Sequence, residues 1–472
     1  MSGLFPPSGA VDVVLPLPDA PALAGLALHS QFLTLGAVST KIDNLSPATS
    51  FVLADQGDLH ATLGDMARER KGHTATELPD GRVLLAGGEG LGPQGQPTVL
   101  SGWELYDPDT QSFTNYKELA EWPAAQGMGA KRARHTASTL QDGRVLLAGG
   151  YGLGGLVQTA TDIFDPAQGA QGSPFSPAAP LAQPRVFHSA TVLADGRVFV
   201  AGGSTLYDVG DAVASFNATL ASTEIYDPAT DSWSPGPNLP RRLAGHGASL
   251  LSDGRVLLTG GMAKAPGPAA PPAAQTDEAW YFDPVGNAIS PAPPLATSRA
   301  FHSQIATGDG GAMVQGGYQF APTAPPSSDY QATAVTTLTH LALDAGGASW
   351  SNEVIINGGN GWCWFCHGPS EGYAVTWYCG FPCFPFEIFG SDVMAGTGTD
   401  QGAPGGAILR VESDFSTVSQ IGTTPALRSH PAVLFTQGED RLLVTGGAVV
   451  DPTTGDPQGT ADAFVTGSGS EL

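Results

Sequence analysis

Long apolar runs are missing from this 472-residue chain; the nearest, residues 20–38, is interrupted by His29, Ser30 and Gln31. A membrane-spanning helix needs about 18 or more such residues in a row, so a soluble chain without membrane insertion is expected. Positive charge is scarce: 20 Lys and Arg face 44 Asp and Glu, giving a net charge of −24. That field repels phosphate backbones, and nucleic acid is not expected as a partner. No Asp-x-Asp-x-Asp-Gly loop accompanies the acidity, so calcium is not expected either. A Gly-x-Ser-x-Gly elbow, a His-Glu-x-x-His pair and a phosphate loop are absent, and no glycine cluster opens an expected helix as a dinucleotide fingerprint requires, which leaves the common hydrolase and nucleotide-binding chemistries without their residues. Acidic residues sit mostly in turns, and no catalytic carboxylate pair stands out.

Charged residues make up only 14% of the chain, whereas Gly numbers 63 and Pro 39. Long helices need runs of Glu, Lys, Ala and Leu, so this composition points to an all-β chain of short strands and turns. Residues 132–152 display the unit. Two β-prone runs, 135–140 and 145–148, flank Asp142-Gly143, and the second ends in Gly149-Gly150. An Asp-Gly pair between such runs predicts a tight hairpin turn.

Copies of this unit open at His73, His135, His188, His246 and His302, and a last one at His430. Glycine pairs close their second strands at 87–88, 149–150, 202–203, 260–261, 316–317 and 446–447. A third strand follows with an aromatic-Asp-Pro turn, as in Tyr106-Asp107-Pro108, Phe164-Asp165-Pro166, Tyr226-Asp227-Pro228 and Phe282-Asp283-Pro284, and a fourth carries Phe113, Phe175 or Trp233. No helix is expected after the glycine pairs, so they read as strand ends and not as phosphate cradles. The interval from His302 to His430 is about twice the usual one, which predicts a degenerate repeat there. Its first three strands are expected at 372–378, 391–398 and 407–413. Pro-rich stretches 266–274 and 321–328 read as surface loops.

This pattern resembles the kelch repeat over roughly residues 65–465. The resemblance implies a kelch-type β-propeller with four antiparallel strands per blade, seven blades, or six plus an insertion. Residues 1–64 are expected to be a segment with strands that packs on or closes the propeller formed by 65–472, with a Cys- and aromatic-rich insertion at 358–390. Residues 50–55 look like an outer strand, and either N-terminal strands or 461–466 should complete the last blade, because an open sheet edge invites aggregation.

Two sets of residues are candidate sites. One is the blade-opening set His73, His135, His188, His246, His302 and His430, with Arg70, Arg132, Arg185 and Arg299 three residues ahead of four of them. If these face the channel, imidazoles could hold a metal and guanidinium groups a carboxylate or phosphate; alternatively, a residue repeated in every blade serves structural hydrogen bonding in every blade. The kelch resemblance also implies kinship with copper radical oxidases related to galactose oxidase, in which a copper ligand would carry over to His188. The radical tyrosine and cross-linking cysteine of that family have no recognisable partners here.

The other set lies in 361–390, which holds all four cysteines and ten of the 38 aromatic residues. Cys363, Cys366, Cys379 and Cys383, with His367, allow two crossing disulfides, a structural zinc, or haem c attached at Cys363-x-x-Cys366-His367. Trp362, Trp364, Trp377 and Tyr378 are aromatic contact candidates for a sugar ring or a protein, or else pack the insertion onto the propeller. The confinement of cysteine, and a segment at 15–35 resembling one that recurs in exported repeat-rich bacterial proteins, point to an extracellular or cell-surface protein, although no signal peptide is visible after Met1. The expected function is binding or scaffolding of a protein or carbohydrate partner; the alternative is a metal- or haem-dependent redox enzyme on the same scaffold.

Overall fold

A computed structural model describes most of residues 66–353 in backbone and side chain, and elsewhere, including the strands at 321–322, 330–334 and 354–355, the backbone of individual strands. The chain forms two compact units, residues 1–55 and 56–472. In the first, Ala27–Ser30 pairs with Thr49–Val52, and Leu33–Leu35 with Ile42–Leu45. The expectation that 50–55 forms an outer strand of the repeat array is corrected for residues 50–52, which pair within their own unit; 53–55 lie outside the described residues.

In the second unit, among the described residues, seven antiparallel sheets carry four or more strands. The second sheet shows the plan, with Thr136–Thr139, Val145–Ala148, Thr161–Phe164 and Phe175–Pro177 adjacent in that order. First strands begin one residue after each histidine, at Thr74, Thr136, Ser189, Gly247 and Ser303. They are rich in Thr, Ser and Ala and half-buried, whereas second strands such as Val145–Ala148 and Val198–Ala201 are buried throughout. A strand covered on both faces has no reason to alternate polar with apolar residues, which is why these read as continuous apolar runs.

Neighbouring sheets share their apolar layers. Leu84, Trp103 and Leu105 of the first pack with Leu147, Phe164 and Phe175 of the second, and Phe199 of the third stacks on Phe282 of the fourth at 3.9 Å. First strands lie against one another in chain order, and Ala432–Thr436 of the last returns to Thr74–Glu77 of the first. The last sheet is completed by Leu59–Ala61, which pairs with Ala463–Thr466.

Two expectations change in detail. Asp142-Gly143 is not the centre of a two-residue hairpin: Gly143 donates to Leu140, and Leu140 donates to Arg144 at 2.7 Å, spanning a five-residue connection. Gly143 sits at the end of that turn with φ 84°, and the Asp142 carboxylate accepts from the Arg144 backbone, so the pair serves a wider turn. In the sixth sheet Trp362–His367 is the first strand and Gly372–Tyr378 the second, followed by Ala407–Val411 and Val418–Thr423. Part of the stretch read as an insertion thus supplies an inner hairpin; 391–398 lies outside the described residues. Of the Pro-rich stretches, residues 321–322 lie in Tyr318–Pro322, which pairs with Tyr330–Ala334, and Ala274 lies in the short strand Ala274–Gln275.

Candidate functional site

The repeated arginines point inward. Arg70, Arg132, Arg185 and Arg299 are each 0% exposed. Arg70 pairs with Glu104 at 2.6 Å and Arg185 with Glu224 at 2.7 Å, while Arg132 meets Asp162. These carboxylates stand on third strands, one residue inside the apolar run. Each guanidinium also donates to the carbonyl of the first glycine of its own pair, Gly87, Gly149, Gly202 or Gly316. The second carboxylate oxygen takes a backbone N–H three residues before the arginine, from Ala67, Gly129 or Ala182. A buried ion pair offsets its desolvation only when its remaining hydrogen-bonding positions are filled, and this arrangement fills most of them. Burial lowers the pKa values of Arg132, Arg185 and Arg299, with the neighbouring carboxylates opposing the shift.

The fifth sheet takes its carboxylate from elsewhere. Thr339 occupies the third-strand position, and Glu353, from the segment just before the added strand Val354–Ile355, reaches Arg299 at 2.7 Å and Thr297 Oγ1 at 2.7 Å. In the fourth sheet both partners are replaced at once. Leu243 stands three residues before His246 and Trp280 at the third-strand position; both are buried in one apolar cluster.

The histidines join adjacent sheets. His135 Nε2 lies 3.1 Å from Thr74 Oγ1, His188 Nε2 3.1 Å from Thr136 Oγ1, and His246 Nε2 2.8 Å from Ser189 Oγ. Each ring therefore reaches the hydroxyl that follows the preceding sheet's histidine. Gly247 has no hydroxyl, so His302 turns to Thr259 Oγ1 at 2.9 Å. Burial, reinforced by nearby arginines, lowers the pKa values of His73, His135 and His302 well below the usual imidazole range; His188 falls to about 3 and His246 to about 4. All five are neutral at neutral pH. His430, Cys379 and Cys383 lie outside the described residues. Trp362, Cys363, Trp364, Cys366, His367, Trp377 and Tyr378 lie on the inner hairpin of the sixth sheet.

Sequence reasoning missed the position just before each histidine. Gly72, Arg134, Phe187, Gly245 and Phe301 all have φ between 53° and 62°. Arg134 N–H donates to the Gly72 carbonyl, Gly245 N–H to Phe187 and Phe301 N–H to Gly245, linking successive sheets. Phe187 and Phe301 meet edge to face at 5.3 Å and continue into Phe216, Phe320, Tyr207 and Tyr151. The available signal was the residue type itself, since a glycine appears in two of the five copies.

These sheets, glycine pairs and interlocked histidines set the fold, and the family described as Kelch motif matches residues 184–240. The fold is that of a kelch-type propeller, and the chain is similar to the kelch-repeat family. Human Kelch-like protein 33 is 28% identical over 188 residues, covering 39% of this chain and 32% of that protein. Bovine Kelch-like protein 36 is 29% identical over 161 residues, covering 31% of this chain and 24% of that protein. The chain thus spans a third or less of the length of these curated relatives. A solved fungal alcohol oxidase in complex with copper superposes with a TM-score of 0.57 at 14% identity, covering 88% of this chain and 76% of that one. That likeness concerns the fold. His188, the position that the oxidase resemblance singled out, makes to Thr136 the contact that His135 makes to Thr74 one sheet earlier.

Proposed function

We propose that this kelch propeller is a binding protein that engages a protein partner through the loops after its glycine pairs and the residues just before its blade-opening histidines. Kelch propellers commonly serve as protein-binding scaffolds. One observation carries the assignment of the face: Arg134, Phe187 and Phe301 hold positive φ where Gly72 and Gly245 show that glycine would serve. A non-glycine residue there costs about 1 kcal/mol or more, and such strain gathers where a surface is used. The repeated arginines and histidines, by contrast, are engaged inside. The cyclic contacts of the first strands support a ring of seven blades. The proposal extends to an extracellular setting with Cys363, Cys366, Cys379 and Cys383 in two disulfides, supported by the confinement of cysteine to 21 residues.

The test is cross-linking of the full chain to its partners in extract, with sites mapped by mass spectrometry and compared with Arg134→Glu and Phe187→Ser variants. Cross-links should fall on this face and weaken in both variants. Cross-links confined to the Asp-Gly turns would overturn the assignment, and a Soret band or stoichiometric copper in the purified protein would move the function to redox chemistry.

A further inference from the structure

In four described sheets the turn between the first two strands is closed by an ion pair. Arg82, Arg144, Arg197 and Arg255 reach Asp80, Asp142, Asp195 and Asp253 at distances between 2.5 and 2.7 Å, and a guanidinium stays charged across the physiological range. The fifth sheet keeps the aspartate, Asp309, but has Gly311 at the arginine's place. No side chain fits there: a Cβ on Gly311 would come within 1.9 Å of the Leu341 carbonyl on the third strand.

That strand supplies the replacement. His340, in register with Met313, brings its Nε2 to 3.1 Å from Asp309 Oδ2 and 3.2 Å from Thr307 Oγ1. Thr307 donates its hydroxyl hydrogen to Asp309 Oδ1 at 2.6 Å, so both neighbours of Nε2 offer it lone pairs and Nε2 carries the ring hydrogen. A neutral imidazole thus closes this turn where arginine closes the others. His340 also anchors the segment that follows the sheet. Its N–H donates to Ser351 Oγ at 3.0 Å, Ser351 N–H returns to the His340 carbonyl at 2.7 Å, and Glu353, two residues on, supplies the carboxylate of the buried Arg299.

A second proton would go to Nδ1 and create an imidazolium only 7% exposed. Among the described residues the charge that acts on it is Asp309, itself 46% exposed. The adjoining fourth-sheet turn gives the Ser252 N–H to the Gly310 carbonyl, but its Asp253 and Arg255 satisfy each other, and Glu353 is taken by Arg299. Burial therefore outweighs the carboxylate, and the imidazole pKa falls below its usual value. Proton uptake is easier once the ring reaches water, so acid favours the open turn.

We infer that the Thr307–Asp309–His340 contact is a proton-sensitive latch, closed at neutral pH and opened in weak acid, that governs how firmly residues 351–353 hold to the fifth blade. The device belongs to that blade, because the Asp–Arg pairs of the other four turns do not titrate between about pH 5 and 7.

Hydrogen exchange of the full chain, read by mass spectrometry at pH 7.5 and 5.5 with intrinsic rates corrected for pH, tests it. One proton taken up at an ordinary imidazole value permits up to about tenfold more opening over this interval. Peptides bearing the Thr307, Gly311 and Ser351 amides should exchange about three- to tenfold faster in acid, relative to the turn that Arg197 closes on Asp195. His340→Gln, which keeps a donor for Asp309 and does not titrate, should abolish that difference. Equal acceleration of both turns, or a response that survives in His340→Gln, would overturn the inference. Should that variant not fold, NMR titration of the histidine rings in the wild-type chain decides. A His340 midpoint below about 6.5 is expected, lower still in Asp309→Asn; a midpoint at or above about 6.5 means that acid tightens the turn, and the latch is refuted.

Discussion

Replacing Arg185 by Leu, alone and with Glu224→Leu, measures what the buried ion pairs of the propeller contribute. Arg185 gives Glu224 contacts at 2.7 and 3.1 Å, the Gly202 carbonyl one at 2.7 Å and the Ser222 carbonyl one at 3.0 Å. Glu224, 4% exposed, would keep the Ala182 N–H but lose its counter-charge. Removing one member of a buried pair typically costs about 3–5 kcal/mol, because the other stays buried and uncompensated. In the double variant no charge is stranded; the two carbonyls losing a donor should cost roughly 1 kcal/mol each. The chain already contains such a double replacement, with Leu243 and Trp280 at the equivalent places of the fourth blade. The double variant should therefore be more stable than Arg185→Leu alone, with a coupling energy of about 2 kcal/mol or more. Urea unfolding followed by tryptophan fluorescence reads this as a shift in midpoint. If Glu224→Leu destabilises the Arg185→Leu protein further, or if Arg185→Leu costs less than about 1 kcal/mol, the pair is not what holds this site.

Gly149 has φ 64°, and a Cβ there would come within 2.7 Å of the Arg185 carbonyl and 2.8 Å of the His188 ring, whereas Gly254 has φ 84° with open space around it. Gly149→Ala should lose more than about 2 kcal/mol and Gly254→Ala about 1 kcal/mol, measured in the same urea series; equal losses would refute the crowding. His188 at about 3 and His246 at about 4 lie below the ordinary imidazole value, so unfolding takes up protons once the pH falls below about 6.5. Stability is then fully present above that pH and falls towards pH 4, by up to about 2 kcal/mol per histidine at pH 5; His246→Gln should flatten the dependence, and an unchanged slope would show that this histidine does not titrate on unfolding. Glu353→Gln removes the counter-charge of Arg299 and should lower stability by about 1–3 kcal/mol; no change in the melting curve would show that the segment is held by its strand pairing alone. Reduction of the native protein should add four hydrogens to its mass if the cysteines form two disulfides, and four free thiols would sink that assignment.

The strand units were legible because each is imposed locally. An apolar run between an Asp-Gly turn and a glycine pair has few other ways to satisfy its backbone, and the positive φ of Gly149 and Gly150 is a requirement that residue type announces. The role of Arg-x-x-His was less legible. Arg185 finds its carboxylate 39 residues away and Arg132 finds one 30 residues away, one a Glu and the other an Asp. The repeats did contain the clue: an acidic residue stands inside the third-strand apolar run in the three blades whose arginine uses it, and Trp280 stands there in the blade that has Leu243. Strand order in the sixth blade misled because Trp362–His367 lacks the usual Thr, Ser and Ala of a first strand.

The sequence alone determined an all-β chain of repeated hairpins with kelch-type turns, because those features depend on neighbours a few residues apart. Tertiary structure decided what the repeated polar residues are for. Only when blades stand side by side does His135 meet Thr74 and does the Gly150 N–H reach the Arg185 carbonyl. Such contacts join residues dozens of positions apart, and no local pattern encodes which surface they leave exposed.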